Sequence, residues 1–427
     1  MARSALCLPR AVAVVAAFCI AACGCAQNPT ERPYKIPSGA SVADPQFTRM
    51  MGSLLGPPII TGNSATTLVN GERIFPAMLQ SIRSAQKTID FESYVYWSSK
   101  IGSDFADALA ERAAHGVKVH VMVDSFGSGK INRAYIQKMQ QAGVTVVRYH
   151  PLRWYSITTA QKLNNRTHRK LLIVDGTSGF TGGVGIADEW SGDADSKEHW
   201  RDTHYLVKGP VVAQLQAVFA DHWMETTGEV LQGDDYFPPL PDAGKMSAQV
   251  FKSSPRGGSE SMELMYLLSI AAARKNIRLA NAYFVPDHLT IQTLLEARKR
   301  GVSIQVMLPG PLIDEKVVRR ASRARWGELL RAGVEIYEYQ STMFHCKLMT
   351  VDDRWVSIGS TNLDNWSFRL NDEANMNVMD EQFAAEQTRM FEQDLQRCKR
   401  ISYEQWQHRP LWEKLGENFA TIFGFVL

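Results

Sequence analysis

Two short stretches of this chain hold the same set of reactive side chains. His168, Lys170 and Asp175 stand in THRKLLIVD at the spacing His-x-Lys-(x)4-Asp, and His345, Lys347 and Asp352 repeat it in FHCKLMTVD. A neutral imidazole can attack and a charged one can deliver a proton, while an ammonium group holds an anion. Two of each suit the transfer of a negatively charged group, with no metal or organic cofactor needed. One such triplet is weak evidence, since three fixed positions match by chance in a chain this long about a few per cent of the time. Two, each reaching a glycine seven residues past the aspartate (Gly182 and Gly359), mark one unit used twice.

Positions two apart on a strand share a face, so His168 and Lys170 project together while Arg169 points away; Cys346 is placed likewise between His345 and Lys347. Past Asp175-Gly176 and Asp352-Asp353 a hairpin is expected, leading into GFTGG (179–183) and VSIGS (356–360), whose small residues let backbone and ligand approach closely. The candidate catalytic set is therefore His168, Lys170, Asp175, His345, Lys347 and Asp352. The two aspartates, at the strand ends, are expected to brace a loop more than to touch the substrate.

The elements that carry these residues are also duplicated. Gly116-Val117 ends a helical stretch and opens the strand VKVHVMV, as Gly301-Val302 opens VSIQVML. Gly143-Val144 in QQAGVTVVRYH matches Gly333-Val334 in LRAGVEIYEYQ, and AQKTIDFESYVYW (85–97) matches ARKNIRLANAYF (273–284). Each half reads helix, strand, helix, strand, helix, strand, then a hairpin and a closing helix. The fold class is α/β: two pseudo-symmetric halves, each a mixed, mostly buried sheet flanked by helices, packed about a pseudo-two-fold axis with the site between them.

Composition limits the alternatives. With 427 residues, 45% of them hydrophobic and 21% charged, the chain can bury two cores and is not a disordered segment. Its 47 basic and 44 acidic residues argue against a general nucleic-acid-coating surface and leave room for a local basic groove, so any anion site must be local. Arg3 and Arg10 precede the uncharged run AVAVVAAFCI (11–20), which is too short to span a bilayer and reads as a signal peptide. Ile20-Ala21-Ala22-Cys23 is similar to a bacterial lipobox, which makes Cys23 the mature, acylated N-terminus; a plain secretory cut in the same stretch is the alternative. Cys346 and Cys398 alone remain in the body, with no zinc-type spacing. The expected segments are a signal peptide (1–22), a tether and irregular lead-in (23–66), the two halves (67–240 and 241–400) and a C-terminal amphipathic tail (401–427).

The paired His-Lys motifs resemble the phospholipase D superfamily, in which two such motifs form one active site. The likeness runs from about Thr67 to about Cys398 and is strongest to the bacterial cardiolipin synthases, through FESYVYW (91–97), GGVGIADEW (182–190), HWRDTHYLVKGP (199–210), PGPLIDEKVVRRASRARW (309–326) and GSTNLDNWSFRLNDEAN (359–375). The resemblance implies two α/β phospholipase D-like halves, a phospholipid substrate (phosphatidylglycerol), no cofactor and no metal. It also implies His168 as nucleophile and His345 as acid, a distinction the near-symmetric motifs do not themselves make. Lys170 and Lys347 are expected to hold the non-bridging oxygens of a phosphodiester, with Asn362 adding a neutral donor. Asp202 and Glu373 are the carboxylates expected to orient the imidazoles through their far nitrogens. For Asp188, Glu189 and Asp364 a structural and a functional reading both stand.

The halves are not identical. Where the second has Asn362 the first has Gly185, which argues against a symmetric phosphate cage. The first half also holds 25 residues between Gly143 and His168 against 12 between Gly333 and His345; the extra stretch contains Leu152, Trp154 and Tyr155, either an aromatic lip or ordinary loop packing. Lys316, Arg319, Arg320 and Arg323 form a basic helix face that either receives anionic headgroups or is simply solvated. Leu411, Trp412, Leu415, Phe419, Ile422 and Phe423 form an apolar stripe for a membrane interface or for core packing. The expectation is an exported, periplasmic monomer anchored at the membrane surface through lipidated Cys23. It joins two phosphatidylglycerols into cardiolipin; a phospholipase D that passes the lipid to water, or a nuclease, is the rival. Nucleic acid is disfavoured as a partner by the near-neutral charge.

Overall fold

The helix stops anticipated at Gly116, Gly143, Gly301 and Gly333 all sit at φ between 85° and 99°, the left-handed turn that a Cβ resists, and each releases the chain into a strand. The computed structural model describes residues 34–151, 165–254 and 261–423. In the first half, β1 (Ile60–Val69), β2 (Thr88–Ser93), β3 (Lys118–Asp124) and β4 (Thr145–Tyr149) alternate with helices Asn70–Ser84, Lys100–Ala114 and Arg133–Gln141. The hairpin β5 (Leu171–Val174) and β6 (Ser178–Gly182), then β7 (Thr203–Lys208) and helix Val212–Thr227, complete it. The second half repeats this as β8 (Met246–Ser253), β9 (Asn276–Asn281), β10 (Ser303–Pro309) and β11 (Glu335–Tyr339), separated by helices Ser261–Ala272, His288–Lys299 and Lys316–Arg331. Its hairpin is β12 (Lys347–Val351) and β13 (Trp355–Gly359), followed by β14 (Glu373–Met379) and helix Glu381–Leu395. After it come β15 (Cys398–Ile401) and helices Tyr403–Gln407 and Leu411–Phe423.

The strand order is β15-β11-β10-β9-β12-β13-β14-β8-β1-β7-β6-β5-β2-β3-β4. Read outward from the β8–β1 pair, the two halves follow the same path, so the pseudo-two-fold axis passes between those strands. Pairing is parallel within β2-β3-β4 and β9-β10-β11 and antiparallel elsewhere. The parallel strands are covered by helices on both faces, which is why VKVHVMV and VSIQVML read as nearly continuous apolar runs.

Three expectations change. The halves do not hold two separate sheets: β1 and β8 join them edge to edge, Ile60 opposite Ala248 and Asn63 opposite Met246 across an irregular register. They share a core as well, in which Leu171, Ile173 and Tyr205 meet Leu348, Ile358 and Met376. The lead-in is not irregular up to residue 66, because β1 already starts at Ile60 and helix Pro45–Leu55 precedes it. Asp44 caps that helix by accepting from the Gln46 amide at 2.8 Å. Phe47, Met51 and Leu55 recur at four-residue spacing and are buried against the second half, with the Phe47 ring 5.0 Å edge-on from Trp355. An aromatic pair of this kind contributes about 0.5–1.5 kcal/mol beyond its buried area. The tail from 401 begins inside β15, which pairs with β11 and closes the sheet's outer edge. Cys23 and the residues around it, and Leu152, Trp154 and Tyr155 of the expected aromatic lip, lie outside the described residues.

Candidate active site

His168 and His345 stand on the loops that lead into β5 and β12, and each loop is zipped to a segment of the opposite half. The His168 amide donates to the Asp372 carbonyl at 2.8 Å, and the Asp372 amide to the Arg166 carbonyl at 2.8 Å. In the matching place the His345 amide donates to the Arg201 carbonyl at 2.7 Å, and the Arg201 amide to the Met343 carbonyl at 2.8 Å. The residue after each bridging position is the orienting carboxylate. His168 Nδ1 lies 2.9 and 3.1 Å from the two Glu373 oxygens, and His345 Nδ1 lies 2.7 Å from Asp202 Oδ2. Each half thus supplies the carboxylate for the other half's imidazole. Because an ionised carboxylate can only accept, Nδ1 carries the hydrogen in both rings and Nε2 keeps its lone pair.

The two pairs form one electrostatic cluster. Burial, reinforced by Lys170 and Lys347, pushes the His168 imidazole down to about 4 in spite of Glu373. Burial and the neighbouring Lys347 push Lys170 down to about 7. His345 and Lys347 are lowered as well, burial leading in both cases. Burial works against the Asp202 and Glu373 carboxylates, yet the facing imidazole and lysines hold both below their ordinary values. The cluster therefore joins a neutral imidazole at His168 to two lysines whose charge burial disfavours and an entering anion would restore.

The symmetry fails at the supports. Ser360 Oγ donates to Glu373 in the second half, whereas in the first the indole Nε1 of Trp190 donates to Asp202 Oδ2 at 3.0 Å. Gly183 stands where the second half has Ser360, and a Cβ there would lie 2.3 Å from Asp202 Oδ1. A Cβ at Gly185, the partner position of Asn362, would lie 2.8 Å from Val95 and 3.2 Å from the Trp190 ring. The missing polar side chain is thus displaced by a tryptophan. Asn362 itself is buried, with its backbone N–H donating to Ser367 Oγ and its side-chain oxygen unpartnered. The ring of His345 is walled by Trp190 at 5.4 Å, Trp200 at 5.5 Å and Tyr283 at 6.2 Å, whereas His168 has Tyr94 at 5.3 Å.

Asp175 and Asp352 do not belong with the reacting groups. They close the far ends of β5 and β12 at φ 52° and 53°. The Asp175 carboxylate accepts from the amides of Gln86, Lys87 and Thr88, and that of Asp352 from Arg274, Lys275 and Asn276. Their work is to pin the turns that enter β2 and β9. Asp188 likewise accepts from the Lys100 and Ile101 amides at a helix start, and Asp364 caps helix Asn365–Arg369 through the Ser367 amide. Cys346 and Cys398 are free thiols. Of the four cations foreseen on one helix face, Arg319 and Arg323 are taken up by Glu338, Glu413 and Glu417.

A family model described as "Cardiolipin synthase, PLD-like domain" matches residues 78–223 and 266–395, which take in both His-Lys pairs and both orienting carboxylates. The chain belongs to the cardiolipin synthase family of phospholipase D-like proteins. A cardiolipin synthase of Geobacillus kaustophilus is 34% identical over 372 residues, which cover 87% of this chain and 74% of that relative. Cardiolipin synthase 2 of Bacillus anthracis is 34% identical over 363 residues, 84% of this chain and 70% of the relative. The crystal structure of phosphatidylserine synthase from Haemophilus influenzae superposes with a TM-score of 0.69 at 12% identity, over 89% of this chain and 98% of that one, a likeness of fold.

Within this cardiolipin synthase family site, the sequence reading had named the imidazoles, the lysines, Asn362 and both carboxylates. It missed Ser360 and the aromatic residues Tyr94, Trp190, Trp200 and Tyr283. Ser360 was within reach, since setting GGVG over GSTN places it against Gly183 and exposes the lost hydroxyl. The aromatic wall left no periodic signal, because its members come from four separate segments.

Proposed function

We propose that the protein is a phosphatidyltransferase that joins two phosphatidylglycerols into cardiolipin and glycerol. The observation that carries the reading is the crossed pairing of His168 with Glu373 and His345 with Asp202 in one cluster with Lys170 and Lys347, close enough that Lys347 acts on both His168 and Lys170. Nε2 of His168 attacks phosphorus, the bond to the first glycerol oxygen breaks, and His345 gives that oxygen its proton. The phosphodiester's negative charge, added to that of Asp202, favours the protonated form of His345 that this step uses. Next, a hydroxyl of the second phosphatidylglycerol passes its proton to His345 and attacks phosphorus, and the bond to His168 breaks. Lys170, Lys347 and Asn362 hold the non-bridging oxygens throughout.

The indole wall around His345 favours an alcohol acceptor over water, because the proton-transferring imidazole works against aromatic rings. The names of the relatives support the same product. Since both substrates are bilayer lipids, the reading also places the protein at a membrane surface, as an exported monomer held through lipidated Cys23. The test incubates the full chain with glycerol-labelled phosphatidylglycerol, with and without a chelator. Cardiolipin and free glycerol in equal amounts are expected in both. Phosphatidic acid as the sole lipid product would replace this reading with hydrolysis.

A further inference from the structure

The helix Leu411–Phe423 is built inside out. Its acidic residues face the body: Glu417 pairs with Arg323 at 3.0 Å and with Arg409 at 2.6 Å, and Glu413 with Arg323 at 3.3 Å. Ala420 on the same side packs with Val285, Val318 and Ala321. The outward side is apolar, with Leu411 76%, Trp412 70%, Leu415 70% and Phe419 62% exposed. At about 100° per residue these four positions fall within one arc of about 100°, opposite Glu413, Glu417 and Ala420. A surface helix ordinarily does the reverse, and its stripe is the largest run of exposed apolar side chains among the described residues.

The location narrows what covers it. The cluster that holds Ala420 also packs Tyr283, whose ring is 6.2 Å from His345, so one tyrosine links the helix to that imidazole. Lys316 and Arg320 are exposed on the neighbouring helix, and neither they nor Lys414 has a carboxylate partner among the described residues. Val317, also exposed, stands between the first two. Asp314, just ahead, is turned to the Tyr283 hydroxyl at 2.7 Å. Glu315, exposed beside Lys316, offsets one of these cations; the positive excess that remains next to an apolar stripe fits acyl chains beneath anionic headgroups. No helix among the described residues is long and apolar enough to cross a membrane.

We infer that this helix is the docking face for an anionic phospholipid bilayer, with Leu411, Trp412 and Leu415 seated among the acyl chains and the pocket of His345 opening beside them. The inference rests on the phosphatidyltransferase reading for the choice of a lipid surface over a second copy of the chain. In the test, the full chain is mixed with vesicles of phosphatidylglycerol carrying brominated acyl chains, and the fluorescence of Trp412 is taken as the difference between wild type and Trp412→Phe. Quenching of that difference signal is expected with phosphatidylglycerol and not with phosphatidylcholine vesicles. Leu411→Glu with Leu415→Glu should lower the initial rate on vesicles by at least about tenfold, while the rate on short-chain phosphatidylglycerol below its micelle concentration stays within about twofold. An unquenched Trp412 in vesicle-bound protein overturns the docking face. So does loss of self-association by the double variant with its vesicle rate unchanged, which makes a second copy the occupant. Quenching by an enzyme that turns over no phosphatidylglycerol supports the docking and sinks the transferase reading instead.

Discussion

Arg201 and Asp372 occupy matching places on either side of the pseudo-two-fold axis and carry opposite charges. Each precedes an orienting carboxylate, and each is zipped to the opposite half's histidine loop. Arg201 grips Asp394 through two bonds of 3.0 and 2.7 Å, while Asp372 faces His222 at 3.5 Å and accepts from the Tyr149 hydroxyl at 2.8 Å. In both cases the partner sits on the closing helix of the other half. Burial and Arg169 oppose a charge on His222, but Glu92 and Asp372 outweigh them and favour its protonated form, which faces Asp372 as the cation of the pair. The duplicated scaffold thus kept the crossing ion pair and inverted its polarity.

Breaking the inverted pair strands a buried charge. Asp394→Ala is expected to destabilise the fold by about 3–5 kcal/mol, and Arg201→Met with Asp394→Leu to recover most of that loss. Denaturant midpoints of the two variants check this; equal loss in both would mean that the pair is not the determinant.

Glu373→Gln and Asp202→Asn retain shape but give Nδ1 of the facing imidazole a weaker, uncharged acceptor. Each is expected to lower the rate by about 10²–10⁴ while leaving thermal stability nearly unchanged. The two variants differ in the step they slow: a phosphohistidine trapped by rapid acid quench should be missing in Glu373→Gln, where the nucleophile is misoriented. If that variant accumulated the intermediate as wild type does, Glu373 would not orient the nucleophile.

Trp190→Phe keeps the aromatic wall and deletes the indole bond to Asp202. A loss of about 1–2 kcal/mol, or roughly tenfold in rate, is expected, with Ser360→Ala producing a comparable loss through Glu373. Combining them should multiply the two effects, since the carboxylates support different rings. The kinetics of the three variants decide it.

Lys170 is pushed down to about 7 by burial and by Lys347, so its positive charge is present below that pH and lost above it. Competitive inhibition by sulfate, whose own charge is constant through the range, should weaken as pH rises through about 7. Lys170→Arg keeps its charge and is expected to hold sulfate affinity flat to about pH 9. A wild-type inhibition constant independent of pH between 6 and 8 (about two units spanning the shifted value) would contradict this assignment.

The duplication, the α/β class, the reactive imidazoles and lysines, and the strand registers that aim them were legible in the amino-acid order. Each depends on neighbours a few residues away: glycine stops, period-two runs and a repeated spacing. Two elements escaped that reading. β1 and the helix Pro45–Leu55 sit in a stretch rich in Gly, Ser, Thr and Pro, and they gain their order from β7, β8 and the core around Trp355 more than from local preference.

The family resemblance in the sequence also named Asp202 and Glu373 as the orienting carboxylates, but the spacing along the chain points each to the wrong imidazole. Thirty-four residues separate His168 from Asp202 and twenty-eight separate His345 from Glu373, so chain distance favours pairing within a half. Packing chose the opposite. The backbone zippers Thr167–Asp372 and Arg201–Phe344 bring together residues more than a hundred positions apart, and a carboxylate reaches the ring that the opposing loop holds against it. Local patterns specify which side chains a strand presents; only the joining of the halves sets what those side chains meet, because hydrogen bonds across an interface depend on three-dimensional proximity and leave no period in the chain.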